Sequence, residues 1–276
     1  MRYEHVKNLS SPQFKRLVGV RHQTFRSMVE VMRTLTPPKL KSGRPSKLIL
    51  EDQVLVTLQY WREYRTYFHI AQTWGVSEAT VCRIVHYVET TLIRSGRFRL
   101  PGKKWLLQGR EVPAIVVVDV TETPIERPKH RQKQFYSGKK KTHTLKSQLV
   151  VDQQSRAIIC TAHGKGRRHD FWLFQVSGVR LHPRTQGLGD KGYQGWRKLH
   201  ENLHLPTKKP KGEPLPKQEK RSNRELAQRR VVAEHVNRHL KIFRILSERY
   251  RNRRRRFGLR CNLIAALYNY ELGLAG

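Results

Sequence analysis

Three acidic residues occupy positions that suit metal-dependent chemistry. Asp119 ends the apolar run 115–118, Asp190 lies in the glycine-rich segment 189–193, and Glu234 lies within a long basic helix pattern. A carboxylate at the end of a buried strand is unfavourable unless a cation or hydrogen bonds satisfy it. Carboxylate oxygens are the ligands that Mg²⁺ and Mn²⁺ prefer. If the three acids converge, they could hold two such ions for an in-line phosphoryl displacement.

Basic residues accompany the acid of the helix pattern. Arg230 lies four residues before Glu234, while Arg238 and Lys241 lie four and seven residues after it. At these spacings the four side chains share one helical face. Such a face could hold a scissile phosphate and its neighbours, although a solvated helix can have the same pattern.

Two further acids compete for a role at the site. Asp170 follows His169 and is the alternative to Asp190 as the second acid, and we favour Asp190. Glu122 lies three residues after Asp119 and could act on a bound metal indirectly. The sequence leaves both alternatives open.

The charge balance indicates what the protein binds. The 276 residues include 56 Lys+Arg and 21 Asp+Glu, which gives a formal net charge of +35. A like-charged surface of this size favours a polyanionic partner, and nucleic acid is the strongest candidate. We find no apolar signal region and no apolar run of membrane-spanning length, so we predict a cytoplasmic protein with no membrane partner. The three cysteines are widely spaced, which argues against a zinc knuckle or a disulfide framework.

Hydrophobic periodicity predicts helices first and a mixed region afterwards. β-branched and apolar runs typical of strands follow the helical first hundred residues. We therefore predict a mixed α/β protein with an N-terminal helical segment at 1–40, a helix-turn-helix domain at 41–98 and a catalytic domain at 99–276 that ends in basic helices. The predicted strands lie at 115–118, 145–151 and 157–162, and the predicted later helices lie at 171–176, 196–203, 223–248 and 259–272.

One helical segment has the spacing of a helix-turn-helix. Ala71 is small where two helices would cross, Gly75 permits the positive φ of the turn, and Ser77 suits the N-cap of the second helix. That helix would present Ser77, Thr80 and Arg83 to base edges. An ordinary helical hairpin has the same spacing, but the basic context favours DNA binding.

The C-terminal region contains an arginine run, Arg253, Arg254, Arg255 and Arg256. We interpret this run as a phosphate-binding segment, because lysine would suffice for solubility.

The tryptophans fall into two groups. Periodicity predicts that Trp61, Trp74 and Trp172 belong to the core. Trp105 and Trp196 have more polar neighbours, and one of them could stack on a flipped base, but we favour partial burial at a domain junction.

Four segments resemble bacterial insertion-sequence transposases of the DDE type, of the branch related to Harbinger nucleases. They are VDVTETPI at 118–125, HDF at 169–171, GDKGYQG at 189–195 and EHVNR at 234–238. The resemblance extends over nearly the whole chain. It implies a ribonuclease-H-like core in which Asp119, Asp190 and Glu234 are the catalytic, metal-binding triad for two Mg²⁺ or Mn²⁺ ions.

The same resemblance includes a signature around the third acid. Arg230 and Lys241 match that signature, whereas its tyrosine position is Ala227 here. This departure puts in doubt an aromatic role at that position but leaves the triad intact.

The resemblance predicts a transposase that binds the terminal inverted repeats of its element, cleaves the ends and joins the 3′ hydroxyls to target DNA. Its partners would be double-stranded DNA, both element ends and target, and further copies of itself as a homodimer or larger assembly on DNA. The protein would be cytoplasmic and associated with the bacterial nucleoid. Two alternatives stay open: a DNA-binding nuclease-fold protein that no longer transposes, and a regulator that uses only the helix-turn-helix.

Overall fold

The structure is a computed structural model that describes residues 2–36, 46–108, 112–210 and 212–274. Its contacts divide the chain into two compact units. The helical unit combines Met1–Arg99 with Leu240–Glu248 and Leu259–Gly276, and the sheet unit combines Leu100–His239 with Arg249–Gly258. Two C-terminal segments that the sequence analysis grouped with the catalytic domain thus belong to the helical unit. The predicted boundary at residues 40–41 lies outside the described residues.

Helices and strands follow one another along the chain as the sequence analysis predicted, with helices first. In chain order the elements are α1 (Tyr3–Val6), α2 (Ser11–Val18), α3 (His22–Leu35), α4 (Leu50–Glu63), α5 (Tyr67–Trp74), α6 (Glu78–Arg94), α7 (Trp105–Gln108), β1 (Ile115–Pro124), β2 (Tyr136–Ser137), β3 (Thr142–Asp152), β4 (Ile158–Lys165), α8 (Asp170–Ser177), β5 (Gln186–Leu188), β6 (Leu203–His204), α9 (Lys217–Lys241), α10 (Arg244–Ser247) and α11 (Phe257–Gly273). Among the described residues, no helix is both long enough and apolar enough to cross a membrane.

The helix-turn-helix is formed by α5 and α6. Gly75 ends α5 in the left-handed conformation, with φ of +64°. The side chain of Ser77 then accepts a hydrogen bond from the backbone N–H of Thr80, which satisfies one free donor of the first turn of α6. Ala71 and Val81 are buried between the helices. The predicted turn and N-cap are confirmed.

Thr24 makes a tertiary contact from inside helix α3, which begins at His22 with Arg21 in the cap position. Thr24 is buried inside the helix, where its hydroxyl donates to the Glu271 carboxylate at 3.1 Å. A tertiary contact with a residue so distant in sequence leaves no local signal.

A buried ion pair lies in the core of the helical unit. Nε of Arg260, on α11, donates to Oε1 of Glu89, on α6, at 2.6 Å, and the side chains are 1% and 0% exposed. Nε1 of Trp61 donates to the same carboxylate oxygen at 3.0 Å. The guanidinium also lies 5.2 Å from the ring centre of Tyr60.

The sheet has β1 at its centre. β3 pairs antiparallel with β1, and β4 pairs antiparallel with β3. On the other side, β5 pairs parallel with β1, and β6 pairs parallel with β5. The resulting order is β4-β3-β1-β5-β6, with β2 pairing with the start of β3. The predicted mixed α/β class, with a ribonuclease-H-like core and an N-terminal all-α helix-turn-helix domain, is confirmed.

Both faces of the sheet are covered by helices, which is why β1 begins with an uninterrupted apolar run. Val116 and Val118 pack with Phe174 of α8 on one face, here called the α8 face. Val117 packs with Leu226 and Ala233 of α9 on the other, the α9 face. Successive side chains of a strand alternate between faces, so Asp119 is on the α9 face with Val117.

The region after β5 differs from its predicted helix at 196–203. The chain forms a 3₁₀ segment, Lys191–Lys198, and then the short strand β6. Trp196 in this segment is buried, with its ring centre 4.3 Å from that of Phe174, so it packs in the core and is not available to stack on a base. The long helix predicted at 223–248 also differs from the structure, which has two helices in this region, α9 and α10.

The tryptophans correct a second expectation. Trp61 and Trp74 are buried, as predicted, whereas Trp172 is 37% exposed on α8. Its neighbours Leu173 and Phe174 provide the buried face of that short helix. Helical spacing alone did not show which side of so short a helix would be covered.

Candidate active site

Asp119 lies on β1 where the sheet meets α9. It pairs with Leu149 of β3, and its Oδ2 accepts a hydrogen bond from Nδ2 of Asn237, on α9, at 2.8 Å. Burial raises the pKa of Asp119 above its ordinary value, and the positive charge of Arg230 opposes this shift. The negative charges of Asp190 and Asp170 raise the same pKa further, so both carboxylates are near neighbours.

Asp190 lies just after β5, the parallel neighbour of β1, so strand pairing brings it to the same edge of the sheet as Asp119. Its Oδ1 accepts from the Gly192 N–H at 2.8 Å and caps the 3₁₀ segment. A Cβ built on Gly192 would lie 2.9 Å from Oδ1 of Asp190 and 3.7 Å from Oδ2 of Asp170. The two carboxylates therefore face one small space, which a larger side chain at 192 would fill.

The structure thus groups Asp119, Asp170 and Asp190, here called the aspartate cluster. Asp170 begins α8, and its Oδ1 accepts from Nζ of Lys146 at 2.7 Å. Lys146 also lies 3.8 Å from Glu122. Glu122 lies three residues after Asp119 on the same strand, so it is on the opposite face of the sheet.

Three buried polar atoms around the cluster have no hydrogen-bond partner within the described part of the chain. They are the Tyr193 hydroxyl, Oδ1 of Asn237 and Nε of Arg230. Burial raises the pKa of Tyr193, and the negative charges of the three aspartates raise it further. Buried polar atoms normally have a hydrogen-bond partner. Three unpaired ones around the aspartate cluster therefore make this part of the protein a candidate binding site.

This arrangement fits a divalent cation. The three carboxylates repel one another electrostatically, and an unpaired amide oxygen adds a further hard ligand. The described residues contain no group of three His, Cys, Asp or Glu side chains already close enough to hold a metal ion. The cluster therefore supplies the right ligand chemistry without a preformed cage.

Glu234 has an exposed side chain on α9. Two residues of the same helix, Arg230 and Asn237, interact with Asp119, and they lie four residues before and three after Glu234. Glu234 is thus on the flank of the helix face that meets the cluster. Arg238 and Lys241, which the sequence placed on the same face, are exposed.

Sequence reasoning missed Asn237. It lies seven residues, or two helical turns, after Arg230, so the spacing that selected the arginine also selects the amide. The sequence prediction for that helix rested on its charged residues only. Asp170 was considered as a rival of Asp190, whereas the structure places both in one cluster.

The predicted base-reading residues lie at the start of α6. Ser77 and Arg83 are exposed, and Thr80 is half-buried. The Ser77 and Thr80 hydroxyls are 2.9 Å apart, so the two side chains that would face DNA also organise the helix end.

The arginine run is held in an unusual backbone conformation within the sheet unit. Arg253, Arg254 and Arg256 have φ of +46°, +70° and +58°, a region that residues other than glycine rarely adopt. The Tyr250 hydroxyl donates to the Arg255 carbonyl at 2.5 Å and fixes this segment. The run is therefore a shaped loop and not an extended basic tail.

Comparison with known proteins agrees with this geometry. The family described as DDE superfamily endonuclease matches residues 118–269, which include every residue of the aspartate cluster. The family described as helix-turn-helix of DDE superfamily endonuclease matches residues 46–98. The chain belongs to the DDE superfamily of endonucleases.

Two curated relatives show how far the similarity extends. The chain is 57% identical over 274 residues to the probable transposase for insertion sequence element IS702 from Microchaete diplosiphon, covering 99% of both chains. It is 26% identical over 233 residues to the putative transposase for insertion sequence element IS112 from Streptomyces albus G, covering 83% of this chain and 84% of the other. No solved structure matched the chain.

Proposed function

We propose that the protein is the transposase of an insertion sequence, which cleaves DNA at the ends of its element and joins the 3′ hydroxyls to target DNA. The aspartate cluster at the edge of a ribonuclease-H-like sheet, in a chain of net charge +35, carries this proposal. The near full-length similarity to a probable insertion-sequence transposase supports it.

In this proposal Asp119 and Asp190 hold Mg²⁺ or Mn²⁺, and Glu234 completes the set. Two such ions, when bound, supply an activated nucleophile and neutralise charge on the leaving oxygen. Asp170 is already paired with Lys146 at 2.7 Å, which favours Asp190 over Asp170 as the second ligand. Asn237 orients the Asp119 carboxylate through its 2.8 Å hydrogen bond, and Arg230 offsets part of the negative charge of the cluster.

DNA binding is divided between two surfaces. Ser77, Thr80 and Arg83 at the start of α6 would read base edges of the terminal inverted repeats, as the second helix of a helix-turn-helix does. The arginine run would contact phosphates without sequence preference. A dimer or larger assembly is part of the proposal, because two element ends have to be joined in one reaction.

Cleavage of a duplex carrying the ends of the element tests the proposal. With Mg²⁺ or Mn²⁺, the wild type should nick this DNA, whereas Asp119→Asn, Asp190→Asn and Glu234→Gln should bind it and leave it intact. Glu225→Gln is the matched control, because Glu225 is an exposed acid on the same helix, α9, and pairs only with surface Arg221 at 3.2 Å in the contacts described. The control should cleave like the wild type.

Several results would contradict the proposal. Equal cleavage by wild type and Asp119→Asn would remove the aspartate cluster from the chemistry. Binding of element ends by the wild type without cleavage would favour a helix-turn-helix regulator. Cleavage without transfer of pre-cut 3′ ends to a target plasmid would favour a nuclease that does not transpose.

A further inference from the structure

A cavity of about 450 Å³ lies in the sheet unit beyond the aspartate cluster. Cationic and aromatic side chains are prominent in its lining, and the described residues that line it include no acid. The residues used below are Phe135, His163, Lys165, Arg168, Trp172 and Arg254. A cavity of this size and composition suits a ligand with both a flat apolar face and a negative charge.

Two aromatic rings in this cavity are covered by cations. The Arg168 guanidinium lies 4.4 Å from the ring centre of Trp172. Arg254 and Lys165 lie 4.5 Å and 5.6 Å from the ring centre of Phe135. Guanidinium planes and aromatic faces both stack on nucleobases, and the same cations neutralise the phosphates that connect them.

Trp172 is among the large apolar side chains of the sheet unit that are exposed. It is 37% exposed, and Val176, one turn later on α8, is 57% exposed. These residues extend the apolar lining of the cavity towards solvent. Lysines and arginines alone would suffice to bind duplex phosphates, whereas an exposed tryptophan adds affinity for bases that are not stacked in a duplex.

The cavity is connected to the candidate active site through β1 and β3. Leu145 lines the cavity and pairs with Thr123, while Asp119 pairs with Leu149. Asp119 and Thr123 are four residues apart on β1, or about 13 Å at roughly 3.3 Å per strand residue. A DNA strand at the aspartates could therefore reach the cavity within a few nucleotides.

We propose that this cavity binds an unpaired nucleotide of the DNA substrate, with its base stacked on Trp172 and its phosphate beside Lys165 and Arg254. The inference rests on the proposed function for its choice of substrate. The test uses binding alone, in the presence of a chelator, so its outcome does not depend on cleavage.

Fluorescence anisotropy with full-length protein can separate single-stranded from duplex DNA. Trp172→Ala should weaken binding of a short single-stranded oligonucleotide of mixed sequence by about 5- to 160-fold, the range found when a stacking aromatic is truncated. Its duplex affinity should stay within about twofold, since phosphate contacts and the helix-turn-helix are unchanged. Trp172→Phe should regain most of the lost affinity. Leu199→Ala is the matched control, because Leu199 is 59% exposed and outside the cavity.

An abasic oligonucleotide gives an independent measurement with the same phosphate charge. The wild type should bind it about as weakly as Trp172→Ala binds the intact strand. Equal wild-type affinity for both strands, or equal losses on single strands and duplex in Trp172→Ala, would overturn the proposal.

A second variant covers the case in which Trp172→Ala fails to fold, as judged by circular dichroism. Arg168→Ala removes the stacked cation, and Arg184→Ala removes one exposed arginine outside the cavity. Arg168→Ala should weaken single-strand binding more than Arg184→Ala does. Equal effects would show that only charge matters there and would overturn the assignment.

Discussion

Substitution of Arg260 should lower the free energy of unfolding more than substitution at most other positions. Arg260 is a charged residue and is not part of the candidate active site. Its guanidinium and the Glu89 carboxylate are 1% and 0% exposed, and their closest atoms are 2.6 Å apart. Arg260→Met keeps most of the side-chain volume and removes the charge. The Glu89 carboxylate then keeps the hydrogen bond from Trp61 but loses its buried counter-charge.

The expected loss is about 3–5 kcal/mol in the free energy of unfolding, the range for breaking a buried ion pair by removing one partner. This is a large part of the roughly 5–15 kcal/mol that stabilises a folded domain. The loss comes from the unpaired charge and not from lost packing. Adding Glu89→Gln to Arg260→Met should therefore recover stability, with a coupling energy of about 2–3 kcal/mol between the two sites.

Urea unfolding, followed by tryptophan fluorescence, measures these free energies for the two single variants and the double variant. Arg33→Met is the matched control, because Arg33 also pairs with a glutamate in the helical unit, at 2.8 Å, but is 68% exposed. Its loss should stay below about 1 kcal/mol. A loss below about 1 kcal/mol for Arg260→Met, or a double variant less stable than Arg260→Met alone, would refute the assignment of a buried charge pair.

Two further predictions concern the sheet unit. Because the folded pKa of Asp119 is raised, its contribution to stability is present below the unfolded pKa of about 3.9 and is lost as pH rises through the folded pKa. With a chelator present, the melting temperature of Asp119→Asn should therefore be higher than that of the wild type at pH 7, and the two should be similar near pH 4. A lower melting temperature for the variant at pH 7 would contradict this. Replacing Arg253–256 with alanine should weaken binding to all duplex sequences and flatten the dependence of log K on log salt by up to about 0.9 per lost phosphate contact. An unchanged slope, measured by anisotropy titrations across salt concentrations, would exclude phosphate binding by this run.

Local chemistry explains which features could be predicted from the sequence. The turn at Gly75 and the cap at Ser77 depend on backbone preferences of single residues, so they were visible without a structure. Asp119 was likewise visible, because an acid directly after a run of buried β-branched residues is unusual in any strand. These signals involve neighbours in the chain.

Features that depend on distant residues were predicted poorly. Whether Trp172 or Trp196 is exposed depends on how α8 and the 3₁₀ segment pack against the sheet. Trp172 was expected in the core and is exposed, whereas Trp196, which the sequence left open, is buried. The same limit applies to Asp170 and Asn237, which reach Asp119 from α8 and α9. Their side chains are ordinary in local context and become informative only when the sheet brings them together.

The direction of the Asp119 pKa shows that net charge and site charge are separate properties of this protein. A chain of net charge +35 would be expected to favour ionised acids throughout, yet burial raises the pKa of this one, and nearby Arg230 does not reverse the shift. Most of the positive charge is on exposed side chains, and at physiological salt charges separated by more than about 8 Å are largely screened. The exposed arginines and lysines can therefore attract a polyanion, while Arg230 and Lys146 offset only part of the negative charge of the aspartate cluster. A cation that binds there would lower the pKa of Asp119, so Mg²⁺ should raise the melting temperature of the wild type more than that of Asp119→Asn.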